Sequence, residues 1–97
     1  MRAKKVDTTH GAIRDHLRAN GWVVRSTATI GDNFPDLAVA RAGFTALVEC
    51  KTPGEKPTLG QTEFRKSWPG IIVQAVSGEQ ADKLLTAAWA AQRLACL

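Results

Sequence analysis

Phe34-Pro35-Asp36-Leu37-Ala38-Val39-Ala40-Arg41-Ala42-Gly43-Phe44-Thr45-Ala46-Leu47-Val48-Glu49-Cys50-Lys51 is the stretch on which the reading of this chain turns. Leu37 to Arg41 and Phe44 to Lys51 alternate as half-buried strands do, and Ala42-Gly43 between them predicts a hairpin. With a two-residue turn, Arg41 faces Phe44, and stepping outward pair by pair puts Asp36 directly opposite Glu49. Opposite residues point to one face of the sheet, with Cβ atoms about 4.5–5.5 Å apart. Alternation brings Lys51 to the same face. A three-residue loop with a bulge would shift the register by one and undo this geometry, and alanine is not the preferred first residue of a tight turn.

Upstream, residues 26–35 hold Gly31, Asp32, Asn33 and Pro35 and read as a loop. Trp22-Val23-Val24-Arg25 reads as a first strand. Before it, Asp7 is an N-cap for a helix running to about Asn20 and stopping at Gly21. Residues 1–6 form a short basic arm, leaving 7–97 as a single domain. Downstream, 52–57 is a second loop ending in Thr58, the N-cap of a helix that carries Gln61, Phe64, Arg65 and Trp68 and ends at Pro69-Gly70. Ile71 to Val76 is a fourth strand. Ser77 and Gln80, at capping-box spacing, open a C-terminal helix with Leu84, Leu85, Ala88 and Trp89 on one side. The order α-β-β-β-α-β-α predicts an α/β fold, a mixed sheet with helices packed on it.

The chain has 97 residues, 44% of them hydrophobic and 23% charged, which suits one globular domain. A net charge of +4 favours a polyanionic partner without specifying one. Cys50 and Cys96 are too far apart in sequence to make a ligand pair or a disulfide framework, and read as reduced thiols. The basic N-terminus runs straight into polar residues, so no secretory signal is expected, and no segment has the length of a membrane span. The expectation is a soluble, cytoplasmic protein with no membrane partner.

Two ionised carboxylates as close as Asp36 and Glu49 repel by about 4 kcal/mol at an effective dielectric near 20. Protonation of one, neutralisation by Lys51, or a hard divalent cation bound by both would offset this. With Lys51 alongside, the group is still net negative and still attracts a cation. Mg²⁺ held by one or two carboxylates keeps several waters, and such a water is a ready nucleophile. The residue set therefore suits metal-assisted phosphodiester hydrolysis. Taken singly, Glu49 with Lys51 reads more simply as an ordinary solvated pair on a strand face, and Pro35-Asp36 as an ordinary turn.

Pro35-Asp36 followed by Glu49-Cys50-Lys51 resembles the PD-(D/E)xK nuclease signature. With a helix before the hairpin and a helix with an early Gln61 after it, the chain is similar to the VRR-NUC branch, in particular its stand-alone phage and prophage members. The similarity spans about residues 6–85 and includes Thr9-His10, Phe34-Pro35-Asp36-Leu37, Thr58 with Gln61, and the Trp68 to Gly70 corner. The resemblance implies a restriction-endonuclease-like αβββαβ core, here with an extra C-terminal helix. It also implies Mg²⁺ or Mn²⁺ dependence, cleavage of DNA, and a Holliday junction resolvase-like homodimer acting on junctions or flaps. Location would be the cytoplasm of a bacterial host. By position, Asp36, Glu49 and the Cys50 carbonyl would be metal ligands and Lys51 the catalytic lysine, with Gln61 orienting that lysine or contacting phosphate. Two departures stand out: Ala12 occupies the first-helix slot where many relatives have an acidic residue, and Gly31-Asp32-Asn33 lacks the second glycine usual before the Phe-Pro-Asp run.

Other residues have two readings each. Gln61 is also the far member of a capping box with Thr58. His10 is a metal or phosphate contact, or a helix-surface histidine, the commoner case. Arg14, Arg18, Arg25, Lys56, Arg65 and Lys66 are candidate DNA phosphate contacts if they cluster near the carboxylates, and solvated surface otherwise. Trp22, Trp68 and Trp89 read as core anchors. The C-terminal helix either covers the sheet or makes a dimer contact. Three rival functions remain: an inactive DNA-binding protein on the nuclease fold, a metal-free acid/base hydrolase using Asp36 and Glu49, and an RNA-directed nuclease.

Overall fold

The computed structural model describes residues 2–96, with side chains from residue 8 onward. Its elements are α1 (Arg2–Ala19), β1 (Val23–Ser26), β2 (Leu37–Arg41), β3 (Phe44–Cys50), α2 (Leu59–Ser67), β4 (Ile72–Ala75) and α3 (Gly78–Ala95). The predicted order and the mixed α/β class are both observed. The first helix begins upstream of Asp7, where its cap was expected; the side chains of the expected 1–6 arm and of Asp7 lie outside the described residues. Among the described residues, no helix is long and apolar enough to cross a membrane.

The sheet order is β1-β2-β3-β4. β1 and β3 both pair antiparallel with β2, while β3 and β4 run parallel. A parallel pair needs a crossover, and α2 supplies it. The hairpin closes as its sequence predicts: Arg41 pairs with Phe44 and the ladder runs to Leu37↔Val48. Ala42 and Gly43 take φ values of 47° and 83°, as the two central residues of a type I′ turn must. Alanine is thus forced into the left-handed region, because the twist of the flanking strands selects that turn over less twisted ones.

Alternation assigns the two faces. Phe44, Ala46 and Val48 of β3, Leu37 and Val39 of β2, Val24 of β1, and Val73 and Ala75 of β4 join Ile13 and Leu17 of α1 and Ala81 and Leu85 of α3 in one core. Burying each large side chain contributes roughly 1.5–3 kcal/mol, so this layer dominates the stability. Gly78, the first residue of α3, lies against the His16 side chain of α1, where a Cβ would collide. The two helices can therefore approach closely over the sheet.

The opposite face receives α2. Thr58 caps this helix with a complete capping box, and Pro69 follows its last turn. Ser77 caps α3 by accepting from the Gln80 N–H, but Gln80 Oε1 accepts from Val76 rather than from Ser77, so that box is only half made. Trp22 is buried in the core cluster and Trp89 packs against it. Trp68, expected as a third core anchor, is instead 37% exposed and belongs to a separate aromatic group with Phe34 and Phe64. Its position at the C-cap of α2, on the far side of the sheet, explains the difference.

Candidate active site

Glu49 and Lys51 project from the end of β3 toward α2. Both are buried, Lys51 to 2% exposure, an unusual place for an ammonium group without partners. Its partners are present: Lys51 Nζ donates to Gln61 Oε1 at 2.6 Å and lies 3.8 Å from Glu49 Oε2 and 3.6 Å from Glu55 Oε2. Gln61 Nε2 donates to Glu49 Oε2 at 2.8 Å. The same Gln61 Oε1 accepts from the Thr58 N–H at 2.9 Å. The two readings of Gln61 are therefore not exclusive, since one amide caps α2 and bridges the lysine to the glutamate. α2 buries no residue completely, so this polar bridge is a main part of its attachment.

Asp36 corrects the simple register argument. The ladder ends at Leu37↔Val48, and Asp36 donates its N–H to the Val48 carbonyl at 3.0 Å instead of standing squarely across from Glu49. Its carboxylate, through Oδ2, accepts from the Cys50 N–H at 2.8 Å. On its other side Asp36 keeps the β1 register: Thr27 N–H donates to the Asp36 carbonyl at 2.8 Å, one step beyond Ser26↔Leu37, and Thr27 Oγ1 donates to the Pro35 carbonyl at 2.7 Å. Asp36 nevertheless remains close enough for its charge to act on Glu49.

Burial first, and then the Asp36 charge, push the Glu49 carboxyl up to about 7; Lys51 and, behind it, Arg65 pull the other way. Thr52, donating through its backbone N–H and its hydroxyl, holds the Glu55 carboxyl below its ordinary range. Burial raises the Cys50 thiol far above its usual range, so Cys50 offers a backbone carbonyl rather than a thiolate.

Among the described residues, no three or more His, Cys, Asp or Glu side chains gather as a metal cage. The donor chemistry that is present, two carboxylates and a carbonyl with Glu49 reluctant to ionise alone, fits a hard divalent ion that keeps waters.

The remaining candidates separate. Arg65 joins the site: it lines a cavity of about 230 Å³ with Glu49, Gln61, Pro35 and Gln74, and donates to the Ile72 carbonyl at 3.0 Å. His10, by default a surface histidine, is buried, with Nε2 3.3 Å from both the Asp36 carbonyl and Ser26 Oγ. Arg14 pairs with Asp15, Arg18 donates to the Val24 carbonyl, and Lys66 lies 4.0 Å from Glu63. Arg25 and Lys56 are exposed. Ala12 is exposed and adds no charge to the site. Sequence reasoning missed Glu55 as a neighbour of Lys51, because it sits in a loop where no periodicity marks it.

The mixed sheet with its three helices is a restriction-endonuclease-like fold, that of a nuclease-family domain. No family model matches the chain, and no curated protein matches it. A solved structure described as a VRR_NUC domain is similar to it, with a TM-score of 0.61 and 29% identity over 84% of this chain and 95% of that one. This similarity supports a VRR-NUC-like nuclease domain for the chain.

Proposed function

We propose that the protein is a divalent-metal-dependent endonuclease that hydrolyses DNA phosphodiester bonds, with branched DNA (junctions or flaps) as substrate. The observation that carries the reading is the buried Lys51, held by Gln61 beside Glu49, which itself lies within range of the Asp36 charge. A nearly dry ammonium next to two carboxylates is costly to keep, and it is the arrangement that phosphoryl chemistry uses.

Asp36, Glu49 and the Cys50 carbonyl would hold Mg²⁺ or Mn²⁺. When bound, the ion lowers the pKa of a coordinated water and neutralises charge on the phosphate. Gln61 holds the Lys51 ammonium in one orientation, and Lys51 stabilises the negative charge that develops on the phosphate or guides the attacking water. Arg65, at the rim of the cavity, binds a phosphate oxygen of the strand being cut. The Cys50 N–H keeps the Asp36 carboxylate aimed at the site. The protein would act in the cytoplasm as a homodimer, since a four-way junction presents two equivalent strands to two equivalent sites.

The test is incubation with labelled junction, flap and linear DNA in Mg²⁺ or Mn²⁺, with EDTA and Lys51→Ala controls. Cleavage that requires metal and is lost in Lys51→Ala is expected. Cleavage that survives EDTA would move the assignment to acid/base hydrolysis. No cleavage of any substrate would leave a DNA-binding protein on a nuclease fold, the reading that the uncharged Ala12 favours.

A further inference from the structure

Phe34, Phe64 and Trp68 form an aromatic group apart from the main core. Phe64 and Trp68 stack at 5.3 Å with 18° between their planes, and Phe34 meets both edge-on at 5.5 and 5.8 Å. Trp68 is 37% exposed, with Phe64 stacked on one side of its ring.

The location gives this group its meaning. Phe34 directly precedes Pro35 and Asp36, and Pro35 lines the cavity that holds Glu49 and Gln61. Phe64 and Trp68 lie on and just beyond the helix that carries Gln61 and Arg65, with Arg65 and Lys66 in its last turn. The aromatic ledge, Arg65 and the carboxylate–lysine site thus lie close together along α2 and the segment that enters β2. A phosphate meets Arg65, and an aromatic ring next to it suits a nucleobase; an apolar protein segment would gain nothing from Arg65. Base-on-aromatic stacking contributes about 1–3 kcal/mol per base and needs a base that is free of its own stack.

We propose that Trp68, backed by Phe64 and Phe34, stacks an unpaired base of the DNA strand whose backbone enters the site, so that the protein selects DNA with single-stranded character near the cut. This rests on the reading of Asp36, Glu49 and Lys51 as a DNA-cleaving site.

The experiment measures binding by fluorescence anisotropy in EDTA, where cutting does not interfere, using a labelled oligothymidylate and a blunt duplex of equal length. Trp68→Ala is expected to weaken oligothymidylate binding about tenfold or more, Trp68→Phe to retain most of the affinity, and both to change duplex binding by less than about twofold. Unchanged oligothymidylate binding by Trp68→Ala, or an equal loss on both DNAs, overturns the proposal. Should the variants not fold, photo-crosslinking of a 5-iodouracil oligonucleotide to the unmodified protein decides. Attachment to the peptide carrying Trp68, Phe64 or Phe34 supports the ledge, and attachment elsewhere removes it. Because binding is read without metal, stacking at Trp68 without any later cleavage would sink the nuclease reading alone, and cleavage with Trp68-independent binding would sink this one alone.

Discussion

On the α1/α3 side of the sheet, Phe44 and Val48 of β3 meet Ile13, Leu17 and Leu85 in a close-packed apolar layer. On the α2 side, Glu49 and Lys51 extend from the same strand end into a network with Gln61, Glu55 and the Thr58 backbone. One face derives its strength from area removed from water. The other removes charges from water, which costs free energy that their mutual contacts only partly return. A face that is stable by itself can support one that is not, and a costly polar cluster in so small a domain points to work done there.

The largest expected effect tests the supporting face. Phe44→Ala removes a fully buried ring and should cost about 3–5 kcal/mol in urea unfolding, with cleavage per folded molecule kept at low temperature. A comparable loss of cleavage per folded molecule would mean the faces are not separable. Lys51→Ala is the converse. It should lower the cleavage rate about 100-fold or more, measured under single-turnover conditions, while the circular dichroism spectrum stays folded.

Next comes the charge cost itself. The folded state holds the Glu49 proton up to about 7, against 4.5 for the ordinary carboxyl. Folding therefore favours the protonated form, and metal-free stability should fall as pH rises through the window from 4.5 to about 7. The loss, up to about 3 kcal/mol, should be complete above it. Glu49→Gln should flatten this part of the profile, seen as the difference between the two proteins' urea midpoints across pH. Divalent metal, favouring the ionised form, should return stability at high pH to the unmodified protein and not to the variant. The smallest effect concerns the turn shared by both faces. Ala42→Asn, better suited to a φ of 47°, should raise stability by about 0.5–1 kcal/mol and leave cleavage unchanged.

Much of the site was legible because strand geometry is local. A two-residue turn fixes every pair of a hairpin, so Glu49 and Lys51 could be placed on one face from their spacing alone, and Thr58 with Gln61 could be read as a cap. Asp36 shows where this stops. Its N–H goes to the Val48 carbonyl where the 27–36 loop enters the strand, and strand alternation carries no signal of that bond. The burial of His10 depends on the same loop reaching α1. Trp68 looked like core because it is apolar and sits at a helix end, yet the face to which α2 turns it was beyond reach of a one-dimensional pattern.

The element order, the hairpin register as far as Leu37↔Val48, the caps of α2 and α3 and the identity of the clustered charges follow from the chain itself, through turn length, alternation and capping chemistry. Only the tertiary structure decided that the Asp36 carboxylate accepts from the Cys50 N–H, that Gln61 joins Lys51 to Glu49 while capping its own helix, and that Glu49 is desolvated enough to keep its proton near neutrality. Each of these depends on the distance between segments remote in sequence and on the water excluded between them, and neither is written in local spacing.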